Sequence, residues 1–249
     1  LANSAGDIEQ QINRALLTAR WIGSGEPERV RVAVGFYDTA GWLIDTFAPV
    51  DGHARVELLR FRDEDLLDAV RSGAADLAIA PWSIRPTGLT ALTLASDVLV
   101  AAVPADSMFA TSGPISPEDL YAETFLTSDY RPSRGFEFHE FFLAADVVPT
   151  TVVQVQSLEM LLRLVGSGHG VTIQPSMVMT WNRPHRTVVV APLAGRDITV
   201  QWMAISRTDS SDAVRAAADR IAKAFTAASE RGEGSPERFN PKIAREPLA

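Results

Sequence analysis

ELLRFRDEDLLDAVRSGAADLAIAP, residues 57–81, reads as strand, helix, strand. Val56, Leu58 and Leu59 mark the first strand. Asp63 is placed to cap a helix that carries Leu66, Leu67 and Val70 on one side and stops at Gly73. The second strand is ADLAIAP, residues 75–81. Just upstream, VRVAVG at 30–35 alternates Val30, Val32 and Val34 before Gly35, and a helix with Ala40, Leu43, Ile44 and Phe47 on one side follows. Strand, helix, strand, helix, strand in so short a span predicts a parallel sheet wound right-handed, with helices on both faces.

Downstream, TALTLAS and DVLVAAVPA cover roughly residues 90–105 with no clear helix between them. The alternation then resumes. SPEDLYAE (116–123) reads as a short helix, TFLTS (124–128) as a strand, 133–145 as a helix and TTVVQV (150–155) as a strand. Ser157 can cap a helix with Leu158, Leu161, Leu162 and Val165 on one face. VTIQP, a short helix, TVVVAPL and ITVQWMAI follow, so a second lobe is built like the first. The last helix carries Val214, Ala217, Ala218, Ile221 and Phe225 in one stripe and is expected to return to the first lobe. The expected division is residues 29–97 plus 205–230 for one lobe and 98–204 for the other, with two chain crossings as the hinge. At the start, Ile8, Ile12, Ala15, Leu16 and Ala19 form a helical stripe within residues 1–28 that packs on its own domain or pairs with another chain. Residues 231–249 mix Gly, Pro and charge without period, as a flexible tail does.

Composition narrows the function classes. A net charge of −8, from 31 acidic against 23 basic residues, repels a phosphate backbone, and no basic cluster offsets it. The chain by itself is therefore not expected to bind DNA. With 46% hydrophobic residues it has ample material for a core, yet no apolar run approaches the ~20 residues that span a bilayer. LANSAGDIEQQ has neither the basic start nor the apolar run of a secretory signal, and the start at Leu1 suggests a fragment or a processed product. There is no cysteine, and His53, His139, His169 and His185 lie far apart, so no metal site or thiol chemistry is expected. GSGHG at 166–170 lacks the nucleophile frame and closes a helix rather than opening one, so it reads as a helix stop, not a phosphate loop. No acidic pair stands out as a catalytic couple, and no cofactor is expected.

Open parallel sheets take ligands beyond the carboxyl ends of their strands. In the first lobe those ends carry Phe36, Tyr37, Asp38 and Thr39, then Pro81, Trp82 and Ser83. In the second they carry Ser128, Asp129, Tyr130 and Arg131, then Gln156 and Ser157, then Gln174 and Ser176. The candidate ligand contacts are Phe36, Tyr37, Thr39, Trp82, Ser83, Ser128, Arg131, Ser157 and Gln174. Helix capping is an equal alternative for Ser157, Ser128 and Thr39, and Trp82 and Tyr37 could simply cover lobe edges. Arg131 and Arg134 near a helix start fit either a bound anion or a solvated face.

In order and spacing, VRVAVG, ELLRFRDEDLLDAVRSGAADLAIAP, DVLVAAVPADS, SPEDLYAETFL and VQSLEMLLRLVGSGHGVTIQPS resemble the effector-binding domain of LysR-type transcriptional regulators. The resemblance covers about residues 29–227. It implies a type 2 periplasmic-binding-protein fold of two α/β lobes, with the N-terminal stripe in the place of the family's dimerising linker helix. It also implies a small-molecule effector in the interlobe cleft and self-association as dimer or tetramer. Promoter DNA would be held through an N-terminal domain lying outside this chain, with RNA polymerase as a further partner and the cytoplasm as the site of action. The pattern departs from the family after the first strand, where Phe36, Tyr37 and Asp38 replace small hydroxyl residues. Asp38 disfavours a nearby carboxylate, so the expected effector is neutral, amine-bearing or aromatic. Two rivals share the fold: an extracytoplasmic solute receptor, which requires export, and a dehydratase or deaminase, for which only Asp38 and Asp129 are placed as acid or base.

Overall fold

The computed structural model describes residues 28–37, 43, 54–82, 86–128, 135–182 and 186–231. The N-terminal stripe, the helix expected around Leu43 except for that residue, and residues 232–249 lie outside them.

β1 (Glu28–Val34) forms because its valines alternate, and Val30, Val32 and Val34 all face the core with at most 1% exposure. It pairs in parallel with β2 (Ala54–Arg60), Val32 opposite Leu58, and with β3 (Leu77–Trp82), Val32 opposite Leu77. Between β2 and β3, α1 (Leu66–Arg71) buries Leu66, Ala69 and Val70 and ends at Gly73, whose φ of 67° suits the left-handed helix stop. Asp63 does not cap this helix. The first turn, Asp63–Asp65, is 3-10, and Asp63 Oδ1 accepts the Phe36 N–H at 2.9 Å instead.

The two apolar runs are one strand, β4 (Thr90–Pro104), which passes from one lobe into the other. Its first part pairs antiparallel with β9 (Thr199–Ser206), from Thr90 opposite Ser206 to Val98 opposite Thr199, with a bulge between Thr93 and Ala95. Its second part pairs with β7 (Thr172–Pro175) and β8 (Val188–Pro192). β9 also pairs antiparallel with β3, Leu77 opposite Ser206, so the first sheet is mixed rather than wholly parallel. That pairing places residues 201–206 in the first sheet, although the sequence reading set them mostly within the 98–204 segment. Inserted between them, this one return strand satisfies the facing edges of both β3 and β4. The chain thus crosses between lobes at Val98–Leu99 and at Ile198–Thr199, where the Leu99 N–H donates to the Ile198 carbonyl at 2.9 Å.

In the second lobe, β5 (Thr124–Thr127) and β6 (Thr151–Gln154) are parallel, and β5 meets β7 at Phe125–Val171. Gly170 makes that contact: a Cβ there would lie 2.3 Å from the Thr124 carbonyl, at a φ of 154°. Residues 117–122, expected as helix, are turns. The stretch after Gly135 is a π turn, Phe138–Phe142, running into a 3-10 turn, Leu143–Ala145. It seats Phe138 and Phe142 against Phe125, with ring centroids 6.2 and 4.9 Å apart.

Three helices complete the lobes. α2 (Leu158–Gly166) buries Leu158, Leu161, Leu162 and Val165; α3 (Ser176–Asn182) follows β7. α4 (Asp212–Glu230) is capped by Ser211 and buries Val214, Ala217, Ala218, Ile221 and Phe225, as its stripe predicts. It packs on β4 and β1 and so returns to the first sheet. One apolar cluster joins Val30, Val32 and Val34 to Trp202, Phe225, Val100 and Leu162, so the lobes share a core where they cross.

Candidate functional site

The strands of both sheets end near the crossing. β1 runs out through Gly35 into Phe36 and Tyr37. A Cβ on Gly35 would fall 1.7 Å from Asp63 Oδ1, so only glycine lets that carboxylate reach the Phe36 N–H and hold the turn. Phe36 is 7% exposed and lies in the shared core, edge-on to Tyr37 at 5.8 Å. Tyr37 is half-buried and edge-on to Trp202 at 6.1 Å. Its Oη donates to Glu137 Oε1 at 2.8 Å, a bond between an end of the first sheet and the π turn of the second lobe.

On the second lobe, Gln174 is 1% exposed, and its Nε2 donates to Thr172 Oγ1 at 2.9 Å. Its Oε1 is buried and has no hydrogen-bond partner among the described residues. Ser128 is half-buried, and its carbonyl accepts from Gln154 Nε2 at 3.4 Å. Ser157 caps α2, accepting the Met160 N–H at 3.4 Å, which was the alternative to ligand contact for that residue. Trp82 lies on β3 opposite Gln201. Thr39, Ser83 and Arg131 lie outside the described residues, as do Asp38, Asp129, Tyr130 and Arg134.

A buried acid that the sequence reading did not single out sits at the crossing. Asp97, 1% exposed on β4, accepts Ser176 Oγ–H at 2.7 Å, Trp202 Nε1–H at 3.0 Å and the Met177 N–H at 3.1 Å through its two oxygens. Burial pushes its pKa above the ordinary carboxylate value, and the bonds from Trp202, Ser176, Met177 and Val98 pull it only part of the way back. It ties β4 to β9 and to the start of α3. Trp202 in turn touches Trp181 at 5.2 Å and Phe225 at 5.6 Å, so a chain of aromatic contacts runs from Tyr37 to α4. The available signal was a lone acid within TALTLASDVLVAAVP. Glu137 had a comparable one, a buried acid among the phenylalanines of GFEFHEFF.

Tyr37 and Glu137 meet, Gln174 and Ser128 end neighbouring strands, and Ser157 caps α2. Among the described residues no three His, Cys, Asp or Glu gather as a metal site, and no helix is long and apolar enough to cross a membrane.

Residues 24–226 match the family model described as the LysR substrate binding domain. Among solved structures, the regulatory domain of MetR from N. meningitidis is 18% identical with a TM-score of 0.67, over 80% of this chain and 94% of that one. An H2O2-bound OxyR mutant from Corynebacterium glutamicum is 16% identical with a TM-score of 0.70, over 96% of this chain and 77% of that one. The OxyR2 regulatory domain from Vibrio vulnificus is 17% identical with a TM-score of 0.66, over 82% and 96%. These likenesses show the two-lobed type 2 periplasmic-binding-protein fold. No curated protein sequence matches the chain.

Proposed function

Because the chain belongs to the LysR substrate-binding-domain family, we propose that it senses a small-molecule effector in the cleft between its lobes and passes that state to promoter-bound DNA-binding domains. The observation that carries this reading is the Tyr37–Glu137 hydrogen bond between the lobes, at strand ends where this fold takes its ligands. A ligand entering there must compete with that contact or bridge it, so its affinity differs between relative arrangements of the lobes. Such a difference is what a ligand needs to shift a population. The chain acts by binding, not turnover, because the family consists of regulators. In this reading it works in the cytoplasm as a dimer or tetramer, DNA is held by a separate domain, and RNA polymerase responds to the arrangement.

The test is a thermal-shift screen of neutral, amine-bearing and aromatic small molecules, followed by titration of a hit into the full regulator on its promoter DNA. A changed oligomer or a changed DNA affinity is expected. A stoichiometric ligand that alters neither overturns the mechanism, and turnover that is lost in Asp38→Asn would replace it with the enzymatic alternative.

A further inference from the structure

The reading above leaves the effector's chemistry open, and Gln174 narrows it. Val171 and Ile173 point into the phenylalanine core of the second lobe. Thr172 and Gln174 alternate with them and therefore face the other side of the sheet, where Val100, Leu126 and Leu162 belong to the shared core. Equal steps along β5 and β7 from the Phe125–Val171 bridge bring Ser128 level with Gln174, at the carboxyl ends of adjacent strands. The capped start of α2 at Ser157 follows β6, the next strand of the same sheet.

Gln174 Oε1 is buried there with no partner among the described residues, while Nε2 donates to Thr172 Oγ1. Reversing the amide does not resolve this. Oε1 could then accept the Thr172 hydroxyl, but both N–H donors of Nε2 would lack partners, where the orientation seen pairs one of them with Thr172 Oγ1. A buried acceptor left unmade works against folding, and such groups persist where function uses them.

We infer that Gln174 Oε1 is the polar anchor of the effector, and that the effector presents an N–H or O–H donor to it from an apolar, aromatic-compatible frame. A carboxylate or an ether oxygen in that position would set lone pair against lone pair. Phe36 and Tyr37, edge-on to each other at the end of β1, are the aromatic groups this reading assigns to the frame. The inference rests on the cleft being the ligand site.

Two measurements on the full chain test it. The first is the melting temperature of Thr172→Val/Gln174→Met, which removes the Thr172–Gln174 bond and the unpaired acceptor together. A rise of about 2 °C or more is expected. A fall makes Gln174 a structural residue and overturns the inference. The second measurement is binding of matched probes, phenol against anisole and indole against 1-methylindole, by NMR titration. Phenol and indole are expected to bind about three- to tenfold tighter than their capped partners, with the preference absent in the double variant. Equal affinities within each pair overturn the donor inference. Ser128→Trp, which sets a bulky ring at the strand end level with Gln174, separates the two levels. Probes lost in that variant keep the cleft reading whatever their donor preference, whereas probes that bind it undiminished sink the cleft and the inference together.

Discussion

Replacing Asp97 tests the junction of the lobes most directly. Asp97→Ala strands three fixed donors, Trp202 Nε1–H and the Met177 and Val98 N–H groups, and frees the Ser176 hydroxyl, all at a site where Asp97 is 1% exposed. Each stranded buried donor costs about 1–3 kcal/mol. Removing a charge whose pKa is raised by burial gives part of this back, so the net loss is about 2–4 kcal/mol. Asp97→Asn is milder. With its amide nitrogen on the Ser176 side, where the hydroxyl can turn to accept, its oxygen still serves Trp202 and Met177. Only the Val98 N–H, now 2.7 Å from Oδ1, loses its acceptor, at about 1 kcal/mol. Urea unfolding followed by tryptophan fluorescence and circular dichroism should show the midpoint falling by about 1 M or more for Ala and by less than half that for Asn. The pH dependence carries a definite sign. The folded chain holds the Asp97 proton more tightly than the unfolded chain. Its contribution is therefore fully present below the unfolded pKa of about 3.9 and is lost as pH rises through the folded value. Asn does not titrate, so the advantage of the native protein over Asp97→Asn should widen as pH falls from neutral towards that limit. An Ala variant within about 0.5 kcal/mol of the native protein, or an advantage that narrows on acidification, would refute the reasoning.

Two further outcomes follow from the same geometry. Tyr37→Phe removes the 2.8 Å bond to Glu137, and a double-mutant cycle with Glu137→Gln in thermal unfolding should give a coupling of about 1–2 kcal/mol; a coupling near zero would mean that the bond does not hold the lobes together. Gly170→Ala drives a Cβ to 2.3 Å from the Thr124 carbonyl in a backbone conformation that side chains avoid, so it should cost about 2 kcal/mol or more and lower the melting temperature by about 4 °C or more; an unchanged melting temperature would mean that β5 and β7 part easily there.

Much of the fold was legible because its signals are local. The alternating valines of β1, the stripe of α4 and the Ser157 cap each lie within a few residues of the groups they organise, and each is present in the structure. The short helix at 116–123 failed for the same reason: its helical pattern spans barely two turns, too few for local propensity to outweigh turn bonding. The Asp63 cap failed differently. Its carboxylate had a distant competitor in the Phe36 N–H, brought within reach by the parallel pairing of β1 and β2.

What the sequence determined by itself is therefore the alternation of strands and helices and the two-lobed class. Only the tertiary structure decided that β9 enters antiparallel between β3 and β4, because backbone N–H and C=O groups on a free strand edge carry no residue-specific signal for which strand pairs there. It alone decided which buried polar groups meet. Asp97 and Trp202 are 105 residues apart and Tyr37 and Glu137 are 100 apart, distances over which side-chain period carries no information. A polar group loses its water wherever it is buried, but which partner replaces that water depends on how the two lobes close on each other.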